Sequence, residues 1–218
     1  MHRLDRATVP IPACLAVPDT GRRYDRLSAA EREEIRTSLL ELQKHRCAYC
    51  ERRTGEDRDD GHIEHFRKQA DHEDLSLTWP NLFWSCKDEK TCGKHKDKCT
   101  KAEGHLAKFD PGDLVDPCVD DPDAYFLFVV DGTVRPREGL DPKSHRRAEE
   151  TLRVFQIADS PYLQKCREDA VQPYLGAIES LSSAGQELVI RYVQSQMNHV
   201  DSSPFATPIR QYLEGFLP

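Results

Sequence analysis

Two cysteines three positions apart, in Cys47-Ala-Tyr-Cys50, set the strongest constraint on how this chain can fold. The segment 47–109 is polar, rich in cysteine and histidine, and too poor in apolar side chains to close a core by burial alone. Such a segment needs a staple. A Cys-x-x-Cys turn can give half of a tetrahedral zinc shell, and the other half must come from further along the chain. Cys86 and Cys92 are the nearest downstream pair, with five residues between them rather than two. Cys92 is favoured as the fourth ligand because the shorter loop costs less closure entropy, with Cys99 as its competitor. The expected staple is therefore a structural Zn2+ on Cys47, Cys50, Cys86 and Cys92. Disulfides would need an oxidising compartment, and the opening residues MHRLDRATVP carry no apolar leader, so a soluble, cytoplasmic chain is expected. Cys14 and Cys166 stand alone and read as free thiols.

The rest of the chain divides around that segment. Residues 1–26, with prolines at 10, 12 and 18, read as an extended arm. Ser28 followed by Glu31 has the form of a capping box, and Ile35, Leu39 and Leu42 recur at helical spacing behind it. That helix leads directly to Cys47. Beyond the segment, AYFLFVVDGTVRPR is β-rich and broken by Asp131-Gly132, a hairpin signal, so a hairpin is expected over 124–137. From about 143 onward the pattern is helical, punctuated by Ser160-Pro161 and Pro204. The fold class expected is α+β and mainly helical. Its parts are an arm and helix over 1–46, a stapled module over 47–109, and a hairpin with C-terminal helices over 110–218, a region suited to docking a partner. No apolar run approaches the length of a membrane span.

Inside the stapled segment lies Gly61-His62-Ile63-Glu64-His65-Phe66. A carboxylate next to a histidine can serve phosphodiester hydrolysis. Glu64 can ligate a hard cation through oxygen, and neutral His65 can take a proton from water near neutral pH. Taken alone, such a pair is more often an ordinary surface strand. Its placement adds weight, because Asn81 follows sixteen residues later in WPNLFWSC. An amide there can bond across a tight loop and keep the histidine in register. After Cys92 comes Gly93-Lys94-His95-Lys96-Asp97, read as the first turn of a helix. Either His95 or Asp97 can complete a metal site begun by Glu64, and the spacing leaves that choice open.

A Cys-x-x-Cys, an acid–histidine pair, an asparagine and a second cysteine pair, in this order, resemble the HNH (ββα-metal) nucleases. The likeness covers about 60 residues. It implies a zinc-stapled hairpin and helix clasping one catalytic divalent ion, Mg2+ or Mn2+, with Zn2+ and Ni2+ as further options. It also implies His65 as general base, Glu64 as metal ligand and Asn81 as the central asparagine. One departure stands out: many relatives carry a metal-binding Asn or His directly after the last cysteine, where this chain has Gly93. A wider likeness, through CAYCE, IEHFR, NLFWSC and CGKHKD, is to the HNH components of Septu anti-phage systems and to HNH proteins that accompany some retrons. It implies a PtuA-like ATPase subunit as partner, DNA as substrate and, in the retron case, a reverse transcriptase with its RNA–DNA. The chain itself has no P-loop.

The formal charge of −7 is unfavourable for gripping nucleic acid unaided. Residues 87–108 do hold seven lysines against four acids, and Arg52, Arg53, Arg58, Arg67 and Lys68 lie close in sequence. A partner that holds the DNA would answer the remaining deficit. The expectation is thus an effector endonuclease subunit of a defence complex. The alternatives are a catalytically silent zinc-binding scaffold that docks through its C-terminal helices, or a standalone restriction-type HNH nuclease.

Overall fold

The computed structural model describes residues 1–16, 22–55, 57 and 59–218. Pro18 and Arg58, both named above, lie outside the described residues. The architecture is mixed α/β, with close to half of the chain helical when short 3-10 turns are included. Helix α1 (Ala29–Leu42) begins at the capping box: Glu31 N donates to Ser28 Oγ at 3.2 Å, and Ser28 N donates back to the Glu31 carboxylate at 2.8 Å. Two backbone donors with no helical partner are satisfied this way. Ile35, Leu39, Leu40 and Leu42 are buried along its inner face.

Strands β1 (Gly61–His65) and β2 (Leu82–Cys86) pair antiparallel, with Gly61 opposite Cys86 and His65 opposite Leu82. Helix α2 (Cys92–Lys98) follows and packs between β2 and helix α4 (Pro142–Phe155). Before α4 come the short α3 (Pro122–Tyr125) and a second hairpin, β3 (Phe126–Phe128) with β4 (Val134–Pro136). Asp141 caps α4 by accepting from the amides of Lys143 and Ser144. Three helices complete the chain: α5 (Pro161–Ser182), α6 (Gln186–Val200) and α7 (Ala206–Glu214). Helix α5 starts at Ser160-Pro161 and continues through Pro173, giving up one intrahelical hydrogen bond. Among the described residues, no helix is long and apolar enough to cross a membrane.

Two apolar cores result. The larger joins the N-terminal residues, α1, the first hairpin and α4, with Tyr49 stacked on Phe155 at 3.9 Å between centroids. The smaller lies among α5, α6 and α7, around Val171, Val193 and Leu213. Among its described residues, the arm expected over 1–26 is not extended. Its described residues form three 3-10 turns and bury Met1, Leu4 and Val9, because those apolar residues find a place on the larger core. Glu51 ties the C-terminal helices to the cysteine segment: its carboxylate accepts from Thr207 N at 2.9 Å, and its backbone oxygen accepts from Phe205 N at 3.1 Å.

The β3–β4 turn depends on Gly132, which has φ +80°, and a Cβ there would stand 2.0 Å from the Gln164 backbone oxygen of α5. Gly139 has a similar φ of +79° but open space around it. Gly139→Ala should therefore cost only the conformational term of about 1 kcal/mol. Gly132→Ala should add a packing clash and cost about 3 kcal/mol in all. Urea denaturation of the two variants checks this, and equal losses would show that Gly132 is not squeezed against α5.

Candidate metal centre and active site

The four sulfur atoms of Cys47, Cys50, Cys86 and Cys92 lie within 4.8 Å of one another and are fully enclosed. Cys50 and Cys86 are 4.0 Å apart at sulfur. A tetrahedral zinc ion with bonds of about 2.3 Å holds its sulfurs about 3.8 Å apart, so the cluster fits a structural zinc site. Burial opposes ionisation of Cys47, but hydrogen bonds from Cys50, Cys86 and Cys92 outweigh it and hold that thiol well below the usual range. Cys92, not Cys99, completes the set. The Cys99 sulfur turns away toward the backbone oxygens of His95 and His105.

Neighbouring residues brace the cluster. Gln43, at the end of α1, donates to the backbone oxygens of Arg46 and Trp84 and accepts from Trp84 N, locking the Cys47 turn onto β2. The Ser85 hydroxyl accepts from Gly93 N and lies 3.9 Å from the Cys47 sulfur. Glu51 and Cys92 both take positive φ, at 64° and 54°. Bends of this kind are costly for a side-chain residue and persist where the surroundings demand them.

Alternation along β1 puts His62 and Glu64 on one face. With His65, Lys68, Asp97 and Lys108 they line a cavity of about 870 Å³. Glu64 is buried, with one carboxylate oxygen 3.1 Å from His62 Nε2 and the other paired to the Lys96 ammonium. Lys96 also donates to the His65 backbone oxygen and stands 3.5 Å from an Asp97 oxygen. Burial works against the Glu64 charge, yet Lys96 and then His62 outweigh it and hold its pKa low. Asp97, whose side chain is 54% exposed, moves the other way, pushed up by partial burial and by the Glu64 charge.

His65 is half-buried, and burial pushes its pKa down, which favours neutral imidazole. Its Nε2 lies 3.0 Å from the Ser76 backbone oxygen. A carbonyl can only accept, so Nε2 carries the proton and Nδ1 keeps the free lone pair. The Tyr24 ring meets the imidazole edge-on, 4.6 Å between centroids. Asn81 is buried beneath this loop. Its side-chain oxygen accepts from Arg67 N at 2.7 Å, its amide donates to the backbone oxygens of Arg67 and Leu75, and its own backbone oxygen accepts from Phe66 N. Asn81 thus closes both ends of the loop that carries Ser76, the partner of His65.

His95 and Asp97 part company. Asp97 lines the cavity with Glu64 and His65, whereas the His95 ring is buried against α4, with Nδ1 2.9 Å from the Val154 backbone oxygen. Gly93 has a steric role: a Cβ there would stand 2.5 Å from a Glu64 carboxylate oxygen. Three of the seven lysines over 87–108 are engaged within the protein. Lys87 pairs with Asp59, Lys98 with Glu89, and Lys96 is buried. Lys68 donates to backbone oxygens at the end of α2, and Arg52 lies over the Tyr162 ring. His62, Tyr24, Gln43 and Lys96 were not singled out from sequence. His62 was within reach of that reading, two residues before Glu64 on a strand, but nothing marks Lys96 out among its neighbouring lysines.

If the four-sulfur cluster holds zinc, Cys92→Ser should lose the ion and lower Tm by on the order of 10 °C, several kcal/mol in a chain of this size. Cys99→Ser should keep an equimolar zinc content and melt close to the parent. Metal analysis with thermal melts checks both, and the reverse pattern would reassign the fourth ligand.

No family model matches the chain. A stretch of 89 residues, 40% of this chain, is 33% identical to Septu protein PtuB of Bacillus thuringiensis and covers 30% of that protein. The chain thus spans about a third of the length of the curated relative it matches.

Proposed function

We propose that this protein is a metal-dependent HNH endonuclease that hydrolyses DNA phosphodiester bonds as the effector subunit of an anti-phage defence complex. The observation that carries the reading is the convergence of Glu64, His65 and Asp97 on one cavity, on a hairpin and helix drawn together by the four cysteines. The partial likeness to PtuB supports the defence setting.

The donor set, two carboxylates with an imidazole beside them, suits a hard divalent cation such as Mg2+ or Mn2+. Glu64 and Asp97 would hold it, and His95, bonded to α4, is the less suited of the two residues considered beside Glu64. When bound, such an ion stabilises negative charge on the phosphate and on the leaving oxygen. His65 Nδ1 takes a proton from water, the water oxygen forms a bond to phosphorus, and the phosphorus–O3′ bond breaks. The Ser76 carbonyl keeps the imidazole in the required tautomer and steadies the cation formed by that proton. Asn81 keeps the Ser76 loop in place. Burial of His65 serves the same end by keeping Nδ1 unprotonated near neutral pH. The net charge of −7 and the internal use of several lysines fit a PtuA-like ATPase partner that contributes DNA contacts, with α5–α7 as its docking region.

Plasmid nicking with Mn2+, on the protein with its ATPase partner, tests the reading. His65→Ala should lower the rate by at least about 100-fold, the lower range for loss of a general base. Cleavage that is absent from both proteins, or equal in both, would favour the zinc-binding scaffold.

A further inference from the structure

Lys96 has no part in the chemistry just described, yet it sits among the residues assigned to it. Its side chain is 0% exposed and that of Glu64 is 2% exposed. The ammonium is paired with Glu64, bonded to the His65 backbone oxygen, and 3.5 Å from Asp97. One positive charge therefore already bridges the two carboxylates that would hold the divalent ion. A buried carboxylate needs a counter-charge, and an ammonium supplies it when no metal is bound. An ammonium and a divalent ion on the same pair of carboxylates repel each other and compete for their lone pairs.

We propose that Lys96 is a built-in competitor for the catalytic cation: its ammonium holds Glu64 and Asp97 until a divalent ion displaces it. This rests on the metal assignment to Glu64 and Asp97 made above. Metal loading is then coupled to departure of the lysine head group from its pocket. The apparent affinity for the ion is reduced by the fraction of molecules in which the ammonium has left. The device keeps Glu64 charged and the cavity wall intact in the metal-free protein, and it makes the site responsive to anything that draws the ammonium away. Lys96 in this role is a positioning residue acting through Glu64.

Mn2+ binding to the zinc-loaded full chain tests the coupling, read by the electron paramagnetic resonance signal of free Mn2+ and by thermal melts with and without Mn2+. Lys96→Met should bind Mn2+ at least about tenfold more tightly than the parent and gain more in Tm from it. Lys96→Arg, which keeps a cation, should stay near the parent. Equal or weaker binding by Lys96→Met would overturn the competition while leaving the metal site standing. No Mn2+ binding by either protein would overturn both. If Lys96→Met does not fold without added ion, folding on addition of Mn2+ is the expected result, and failure to fold with it overturns the proposal. Lys96→Gln, whose amide can still donate to the His65 oxygen, is read in the same way.

Discussion

Four sulfur atoms within 4.8 Å of one another join three stretches of chain: the turn after α1, the end of β2 and the first residue of α2. Everything at the cavity follows from that junction. Holding Cys86 fixes the end of β2, and antiparallel pairing then fixes β1, so that Glu64 faces Phe83 and His65 faces Leu82. Holding Cys92 fixes the start of α2, which carries Lys96 and Asp97 back over Glu64. The residues proposed for catalysis are thus placed by the cysteines without touching them. A loss at the cluster would appear as loss of fold and of function together.

The second constraint is electrostatic. Glu64 and Lys96 are both buried, and neither charge would persist there alone. Gly93 leaves the space that Glu64 occupies, so a larger residue at that position would compete with the carboxylate itself. The bare backbone at Gly93 is thus what lets the Glu64 carboxylate lie against the start of α2. Further along α2, Asp97 shares the cavity with Glu64, whereas His95 is bound to α4.

Around these parts the chain shares its burial widely. Tyr49, within the Cys-x-x-Cys turn, stacks on Phe155 of α4, and Glu51 just after it receives the amides of Phe205 and Thr207. The cysteine segment is therefore roofed by one helix and tied to the start of α7. Helices α5–α7 keep a small core of their own, around Val171, Val193 and Leu213. A partner acting through those helices would reach the cavity through the Glu51 bonds and α4.

The amino-acid sequence by itself determined what depends on local spacing. The Cys-x-x-Cys turn, the capping box at Ser28, the Asp131-Gly132 hairpin and the Ser160-Pro161 helix start are short-range patterns, and each is found where its residues stand. The acid–histidine pair was legible as a pair of residue types suited to hydrolysis. Only the tertiary structure decided which side chains meet. Cys92 rather than Cys99 joins the cluster: its sulfur stands with the other three, while Cys99, at the end of a short helix, turns its sulfur toward the backbone oxygens of His95 and His105. The arm folds back because Met1, Leu4 and Val9 find burial on a core assembled from distant segments. Lys96 reads as one surface lysine among seven until β1 and α2 come together, since a charge can be buried only where a distant residue supplies its counter-ion.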